Sequence, residues 1–209
     1  MKENDFIEIS YTGMVDGLVF DTTDEKVAQA NGMFDPQHQY GPVIICLGRG
    51  HVLPGLDAQL MGKELGKQHQ IFLSADQAFG RKRADLIQLI PTGKFRKEQI
   101  IPEPGLRVQI DGRMGLVKTV TGGRTLVDFN HPLSSKDVTY EVTIHRVVTD
   151  IAERVKAFFS RELGALPEVT MQESNATVKF PQTLPAEITD RIAETLKGMI
   201  PELGTVTFS

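Results

Sequence analysis

Tryptophan is absent and cysteine nearly so: the 209 residues hold no Trp and one Cys, Cys46. One thiol excludes an internal disulfide framework and any paired-Cys motif. Placed in the apolar run VIICL, Cys46 reads as a small buried hydrophobe. No apolar run approaches the ~20 residues that cross a bilayer as a helix, so no membrane partner is expected. The opening stretch MKENDFIEIS is acidic and polar where a secretory signal is basic and then apolar, and a cytoplasmic protein is the simplest expectation. The five histidines (His38, His51, His69, His131, His145) are dispersed, none at metal spacing with a Cys or another His. Nucleophile elbows and phosphate loops are missing too; GRGHVLPG lacks the Lys-Ser/Thr end of a P-loop. Neither cofactor nor metal is expected. A net charge of −4 argues against a general nucleic-acid binder. One stretch runs the other way, GRKRADLIQLIPTGKFRKEQ, with basic residues clustered from Arg81 to Lys97. Its plain reading is a solvated face; its sharper one is contact with ribosomal RNA.

What is present is ordinary globular patterning in a chain long enough for two or three compact units. DFIEISYTGMVDGLVFDTT alternates on both sides of Asp16-Gly17, a hairpin signal. A long polar loop follows, with a helical turn at Lys26 to Ala30, and then PVIICLG as a buried strand. HVLPGLDAQLMG carries Leu56, Leu60 and Met61 between Pro54-Gly55 and Gly62, a short amphipathic helix with start and stop signals in place. KQHQIFL is the next strand.

From Arg81 to Asp128 the texture changes to short apolar segments, LIQLI, RVQI, GLVKTV and TLVDF, the last three separated by glycine-bearing turns. That spacing predicts a small all-β unit. After Asn130-His131-Pro132 the run DVTYEVTIHRVV is a long strand whose natural partners precede Gly80, so the segment between reads as an insertion. From Thr149 onward, DIAERVKAFFSRELG, EVTMQESNATVKF, PAEITDRIAETLKGMIPELG and TVTF predict an α-β-β-α-β module. Its core is small, so it must dock on another copy of itself, a partner, or the host. The expected division is 1–80 with 129–148 as host, 81–128 as insert and 149–209 as C-terminal module.

Tyr11, Phe20, Val52, Leu53, Leu56, Phe79 and Tyr140 fall in strands, at the start of the short helix and beside turns. By periodicity alone they are core. Asp21 beside Phe20 is less bland, because a carboxylate there needs solvent or a hydrogen-bond partner.

The series YTGMVDGLVFDTT, LGRGHVLPGLDAQLMGKELG, ADQAFG and VTYEVTI resembles the FKBP-type peptidyl-prolyl isomerases over residues 1 to about 148. The segment between AFG and DFNHPL resembles the flap insertion of SlyD-type members and of the long archaeal FKBPs. The last sixty or so residues resemble the extra domain of the archaeal forms by position and size only. The resemblance implies an α+β fold: an antiparallel sheet wrapped on a short helix, an all-β-rich inserted flap domain, and the C-terminal α-β-β-α-β domain. It implies a proline pocket lined by Tyr11, Phe20, Asp21, Val52, Leu53, Leu56, Phe79 and Tyr140, with Ala78, His131 and Leu133 at its edge. Two departures stand out. Leu56 replaces the tryptophan common on the pocket floor, so tight macrolide binding is not expected. Phe79 replaces a frequent tyrosine, so no mechanism can use that hydroxyl.

Such a pocket suits proline isomerisation. The barrier comes from amide resonance, and no bond to an enzyme group is needed. An apolar pocket that keeps the imide from water favours the twisted transition state over the planar ground state. Tyr11 and Asp21 are the expected positioning groups. In the insert, Ile87, Leu89, Ile90, Phe95, Ile100, Ile101, Leu106, Met114, Val117 and Val120 exceed what so few residues easily bury. Part of that set, with Ile87, Leu89, Phe95, Ile100 and Met114 foremost, is expected to bind unfolded polypeptide. The alternative is a catalytically weak polypeptide- or partner-binding module. A homodimer through the C-terminal module is a further partner reading.

Overall fold

The computed structural model of the chain describes residues 1–180 and 184–209. Strands β1 (Phe6–Val15) and β2 (Leu18–Thr22) form the first hairpin. Asp16 and Gly17 turn it at φ 50° and 79°, the positive-φ pair whose twist matches the flanking strands. Helix α1 (Glu25–Ala30) starts at Asp24, whose carboxylate accepts the Lys26 and Val27 N–H groups. Strand β3 (Val43–Cys46) pairs antiparallel with β1. Helix α2 (Pro54–Leu60) has Pro54 in its first turn, where a missing N–H is harmless. Its buried Asp57 accepts the Gly48 N–H through both oxygens, at 3.1 and 2.9 Å, and so ties down the loop between β3 and α2. Strand β4 (Gln68–Leu73) follows.

The chain divides into two compact units, Met1–Leu73 with Val138–Ser209, and Ser74–Asp137. In the second, β5 (Ile87–Pro91), β6 (Arg107–Ile110), β7 (Arg113–Thr121) and β8 (Arg124–Asp128) form an antiparallel sheet in the order β5-β8-β7-β6. The unit is not all-β: helix α3 (Thr92–Lys97) follows β5 directly. Phe95 is its anchor, 3% exposed in a core with Ile90, Val108, Val117 and Val127. A six-residue helix held by one aromatic leaves no periodic signature, which is why patterning alone misses it.

The unit extends past the expected 81–128 on both sides because its two chain crossings are hydrogen-bonded to each other. The Ala75 N–H donates to Asp137, the Ser135 N–H to the Gly80 carbonyl, and the Lys82 N–H to the Ser135 hydroxyl. Asn130 accepts the Arg83 N–H and donates back to the Arg83 carbonyl. Asn130-His131-Pro132 thus belongs to a stapled neck, and the chain leaves the unit only at Asp137.

Strand β9 (Val138–Val148) is the spine of the first unit, pairing with β1 on one side and β4 on the other in the order β2-β1-β9-β4. Its first seven residues alternate strictly buried and half-buried, as a central strand with one covered face requires. Helices α4 (Ile151–Glu162) and α5 (Ala186–Met199) and strands β10 (Glu168–Gln172), β11 (Asn175–Lys179) and β12 (Val206–Phe208) complete the unit. Asp150 caps α4 by accepting the Glu153 N–H at 2.8 Å. Ile188, in the first turn of α5, is 46% exposed, and burial starts at Ile192. The core of this module docks on the host: Val155, Phe158, Phe159, Leu196 and Met199 share one buried cluster with Phe6, Cys46 and Val148. His51 adds a polar latch, with Nδ1 accepting the Cys46 N–H at 3.0 Å and Nε2 3.0 Å from Glu162 on α4.

Candidate functional site

Tyr11 leaves the middle of β1 with its backbone held by threonines. Its N–H donates to Thr23 Oγ1 at 2.9 Å, and its carbonyl accepts the Thr23 N–H at 2.9 Å and the Thr22 hydroxyl at 3.3 Å. Thr22 and Thr23 are 5% and 6% exposed, so these bonds are not open to competition from bulk water. The Tyr11 ring meets Tyr140 edge-on at 5.8 Å, and Phe20 meets the same Tyr140 edge-on at 5.8 Å. Gly13 lies between them. A Cβ there would come 2.8 Å from both Phe20 and Tyr140, so this strand glycine is what lets the rings close over β1.

Asp21 follows Phe20 and carries the polar edge of the cluster. Burial raises its carboxyl above the ordinary carboxylate range, opposed first by the hydrogen bond from the Tyr11 hydroxyl. The same burial, with the Asp21 charge next, pushes Tyr11 up to about 12. Tyr140 is 4% exposed and is likewise raised by burial, with Asp21 and Tyr11 adding to it. The two raised phenols stay neutral at neutral pH, beside the Asp21 carboxyl. That set can donate to and orient a carbonyl.

Leu56, on α2, is 1% exposed. Leu53 caps α2 and Val52 precedes it, both half-buried. Helix α2 packs on β4, whose Ile71 is the ladder partner of Tyr140. Tyr11, Phe20, Asp21, Val52, Leu53, Leu56 and Tyr140 are therefore all in the first unit.

Phe79 and Ala78 fall in the second unit with His131 and Leu133. The rings of Phe79 and His131 stack face to face, 4.4 Å apart and 3° from parallel. The Leu133 N–H donates to His131 Nδ1 at 3.2 Å, which orients that ring, and the Ser134 hydroxyl reaches the Phe79 carbonyl at 3.4 Å. Of the insert residues expected to bind polypeptide, Ile87, Leu89 and Met114 are 38%, 61% and 59% exposed. Phe95 is core, 3% exposed, and Ile100 is half-buried against that core. The exposed ones share a surface. Ile87 and Leu89 project opposite to buried Ile90, and Met114 and Leu116 opposite to buried Val117. Ile87 and Leu116 flank Asp128 in one row across the sheet.

Two residues carry the site without having been singled out. Gly13 was signalled by its position inside an alternating strand. Arg161, on α4, lines the same cleft as Tyr11, and its charge opposes the rise in the Tyr11 pKa; nothing in the local sequence announces it. Among the described residues no group of three or more His, Cys, Asp or Glu is arranged to hold a metal ion.

The first unit is an antiparallel sheet closed on a short helix, with an aromatic cluster and one carboxyl group at its edge. Comparison with known proteins gives this fold a family. Residues 1–102 match the family described as FKBP-type peptidyl-prolyl cis-trans isomerase, and residues 88–133 match the FKBP26 IF domain. The chain is 28% identical over 147 residues to the short-type peptidyl-prolyl cis-trans isomerase of Methanocaldococcus jannaschii, covering 70% of this chain and 94% of that one. It is 32% identical over 108 residues to the FKBP-type 16 kDa peptidyl-prolyl cis-trans isomerase of Escherichia coli (strain K12), covering 49% of this chain and 72% of that one. Against the FKBP-type isomerase SlyD of Treponema pallidum, identity is 28% over 134 residues, 62% of this chain and 76% of that one. The chain belongs to the FKBP-type peptidyl-prolyl cis-trans isomerase family and carries an insert-in-flap domain.

Proposed function

We propose that the aromatic cluster on β1, β2 and β9 is where this isomerase holds proline, and that the exposed face of the inserted sheet holds the client chain. Tyr11, Phe20, Val52, Leu53, Leu56 and Tyr140 supply the apolar surface for the ring. Excluding water from the imide weakens its charge-separated planar form and lowers the ~18–20 kcal/mol resonance barrier. Asp21 and the Tyr11 hydroxyl orient the substrate carbonyl. The observation that carries this reading is the Tyr11–Tyr140–Phe20 cluster with Asp21 at its edge. In the second unit Ala78, Phe79, His131 and Leu133 are substrate contacts, with Phe79 acting through its ring alone.

Client binding rests on Ile87, Leu89, Met114 and Leu116, an apolar face beside a groove of about 400 Å³ rimmed by Lys82, Arg107 and Lys118. A client held there raises the local concentration of X–Pro bonds. In this division of labour, 1–80 with 129–148 isomerises, 81–128 holds clients, and 149–209 braces the host. No described helix is long and apolar enough to cross a membrane, and action on clients in the cytoplasm fits this reading. Ribosomal contact is not favoured: Arg81, Lys82, Arg83 and Lys94 are paired with Asp76, Asp128, Asp85 and Asp111. A homodimer through the C-terminal module loses its rationale once that module's core is docked on the host.

The test is refolding of a proline-limited protein beside isomerisation of a short peptide, with the wild type and with Leu89→Asp combined with Met114→Asp. The double variant is expected to keep the peptide rate and lose most of the gain on the protein. If the wild type speeds neither substrate, the chain is a binding module and the catalytic reading fails.

A further inference from the structure

A cleft of about 690 Å³ opens on the far side of Tyr11, between the Gln37–Ile44 segment and helix α4. Its charges are unevenly settled. Arg146 engages Glu8 at 3.0 Å and Glu153 at 2.8 Å, so both carboxylates of the wall are occupied. Lys156 and Arg161, one and a half turns apart on α4, face the same space and form no ion pair among the described residues. Both are exposed, in a chain whose net charge is −4. Pro42, Val43 and Leu166 add an apolar strip, Leu166 being 69% exposed. A local cationic pair on an acidic protein, beside exposed apolar side chains, has the chemistry of a site for an acidic peptide segment. Its link to the reaction is Tyr11, which lines the cleft together with Arg161 and also belongs to the aromatic cluster.

We propose that this cleft is a second substrate subsite, in which Lys156 and Arg161 select clients carrying Asp or Glu near the X–Pro bond. The inference rests on the aromatic cluster being the proline site. It gives the C-terminal module a part in choosing substrate as well as in bracing the host. Arg161 is the specificity-determining residue nearest the reaction, and Lys156 reads the same carboxylate without touching Tyr11.

The experiment measures kcat/KM of the full-length protein on ten-residue peptides with one Ala-Pro bond. Each carries Glu, Gln or Lys at positions two to four residues from the proline, on either side. At low ionic strength Glu at the best position is expected to beat Gln by about two- to fivefold, the range of exposed charge pairs, and the preference is expected to fade at ~0.5 M salt. Lys156→Glu, with Arg161 left in place, should abolish the preference for Glu over Gln, and Arg161→Ala should reduce it. Equal rates on Glu and Gln peptides in the wild type, or a Glu preference that survives Lys156→Glu, would overturn the subsite while leaving the isomerase intact. Absence of turnover on every peptide would remove the proline site, and the subsite with it.

Discussion

Gly13→Ala isolates how tightly the aromatic cluster is closed. The backbone at Gly13 tolerates alanine, since Gly13 is not among the residues with positive φ, so only the added methyl counts. It would lie 2.8 Å from Phe20 Cζ, 2.8 Å from Tyr140 Cε1 and 3.1 Å from Tyr140 Cζ. Carbon atoms settle at ~3.5–4.0 Å, so each ring must retreat by roughly 0.5–1 Å. Overpacking of that kind costs about 1–3 kcal/mol, and the lower chain entropy of alanine offsets about 0.4–1 kcal/mol of it. A net loss of ~1–2 kcal/mol corresponds to a fall in Tm of about 2–8 °C for a chain of this size. Activity should suffer more than stability, because the rings that move are those proposed to hold proline and a misplacement of ~1 Å can lower a rate ~100-fold. The assay is exchange of a short X–Pro peptide, with Gly115→Ala as control. There a Cβ would meet Val127 at 2.5 Å and Phe129 at 2.8 Å, a comparable clash within the inserted unit. Gly13→Ala is expected to lose at least tenfold in kcat/KM, and Gly115→Ala to lose stability with the peptide rate retained. If Gly13→Ala isomerises the peptide at the wild-type rate, the cluster is core packing and not the proline site.

Three further perturbations test the electrostatics and the docking of the C-terminal module. Burial holds the Asp21 carboxyl above its ordinary range, so the folded state binds its proton more tightly than the unfolded chain. Asp21 therefore favours folding below the unfolded value, and that contribution is lost as pH rises through the folded one. Asp21→Asn should raise Tm at pH ~7 and lower the isomerase rate, with the Tm difference vanishing below pH ~4; a lower Tm at neutral pH would refute the assignment. His51 is shifted the opposite way: burial lowers it, with Glu162 pulling it up and Arg161 and Asp57 acting more weakly in opposite senses. Its contribution is present above the unfolded value near ~6.5 and is lost as pH falls through the folded one. Tm of the wild type should then fall more steeply from pH ~7 to ~5 than that of His51→Gln, and parallel curves would refute this. Phe159→Ala removes a ring that is 0% exposed in the cluster shared with Phe6, Cys46 and Val148. A loss of about 3–5 kcal/mol is expected, read as faster hydrogen exchange in β1 and β9 as well as in α4. Exchange confined to α4 would mean that the module folds independently of the host.

Chemistry held within a few residues was legible in the sequence. Asp16-Gly17 dictates a hairpin because two adjacent positive-φ residues admit little else, and Pro54 and Gly62 bracket a helix by the groups they lack. The alternation of Val138–Val148 required a central strand with partners earlier in the chain, so the insertion could be inferred from a strand left without neighbours. Tyr11, Phe20, Asp21 and Tyr140 could be named as a set through the family resemblance. Other features needed tertiary structure because they are settled by distance in space. Phe95 and Met114 are both large apolar residues in the insert, yet one is core and the other exposed; only the packing of α3 against the sheet separates them. The neck of the insert begins at Ser74, where hydrogen bonds to Asp137 and not sequence texture set the boundary. Arg161 meets Tyr11 because a module with too little apolar surface to bury alone closes its core on Phe6, Cys46 and Val148, and that docking carries α4 to the edge of the site. Sequence by itself determined most of the elements and, through the family resemblance, the chemistry of the cluster. Tertiary structure decided which apolar side chains stay exposed and which charge reaches the cluster, because burial and Coulomb attraction depend on neighbours that the chain brings together only when it folds.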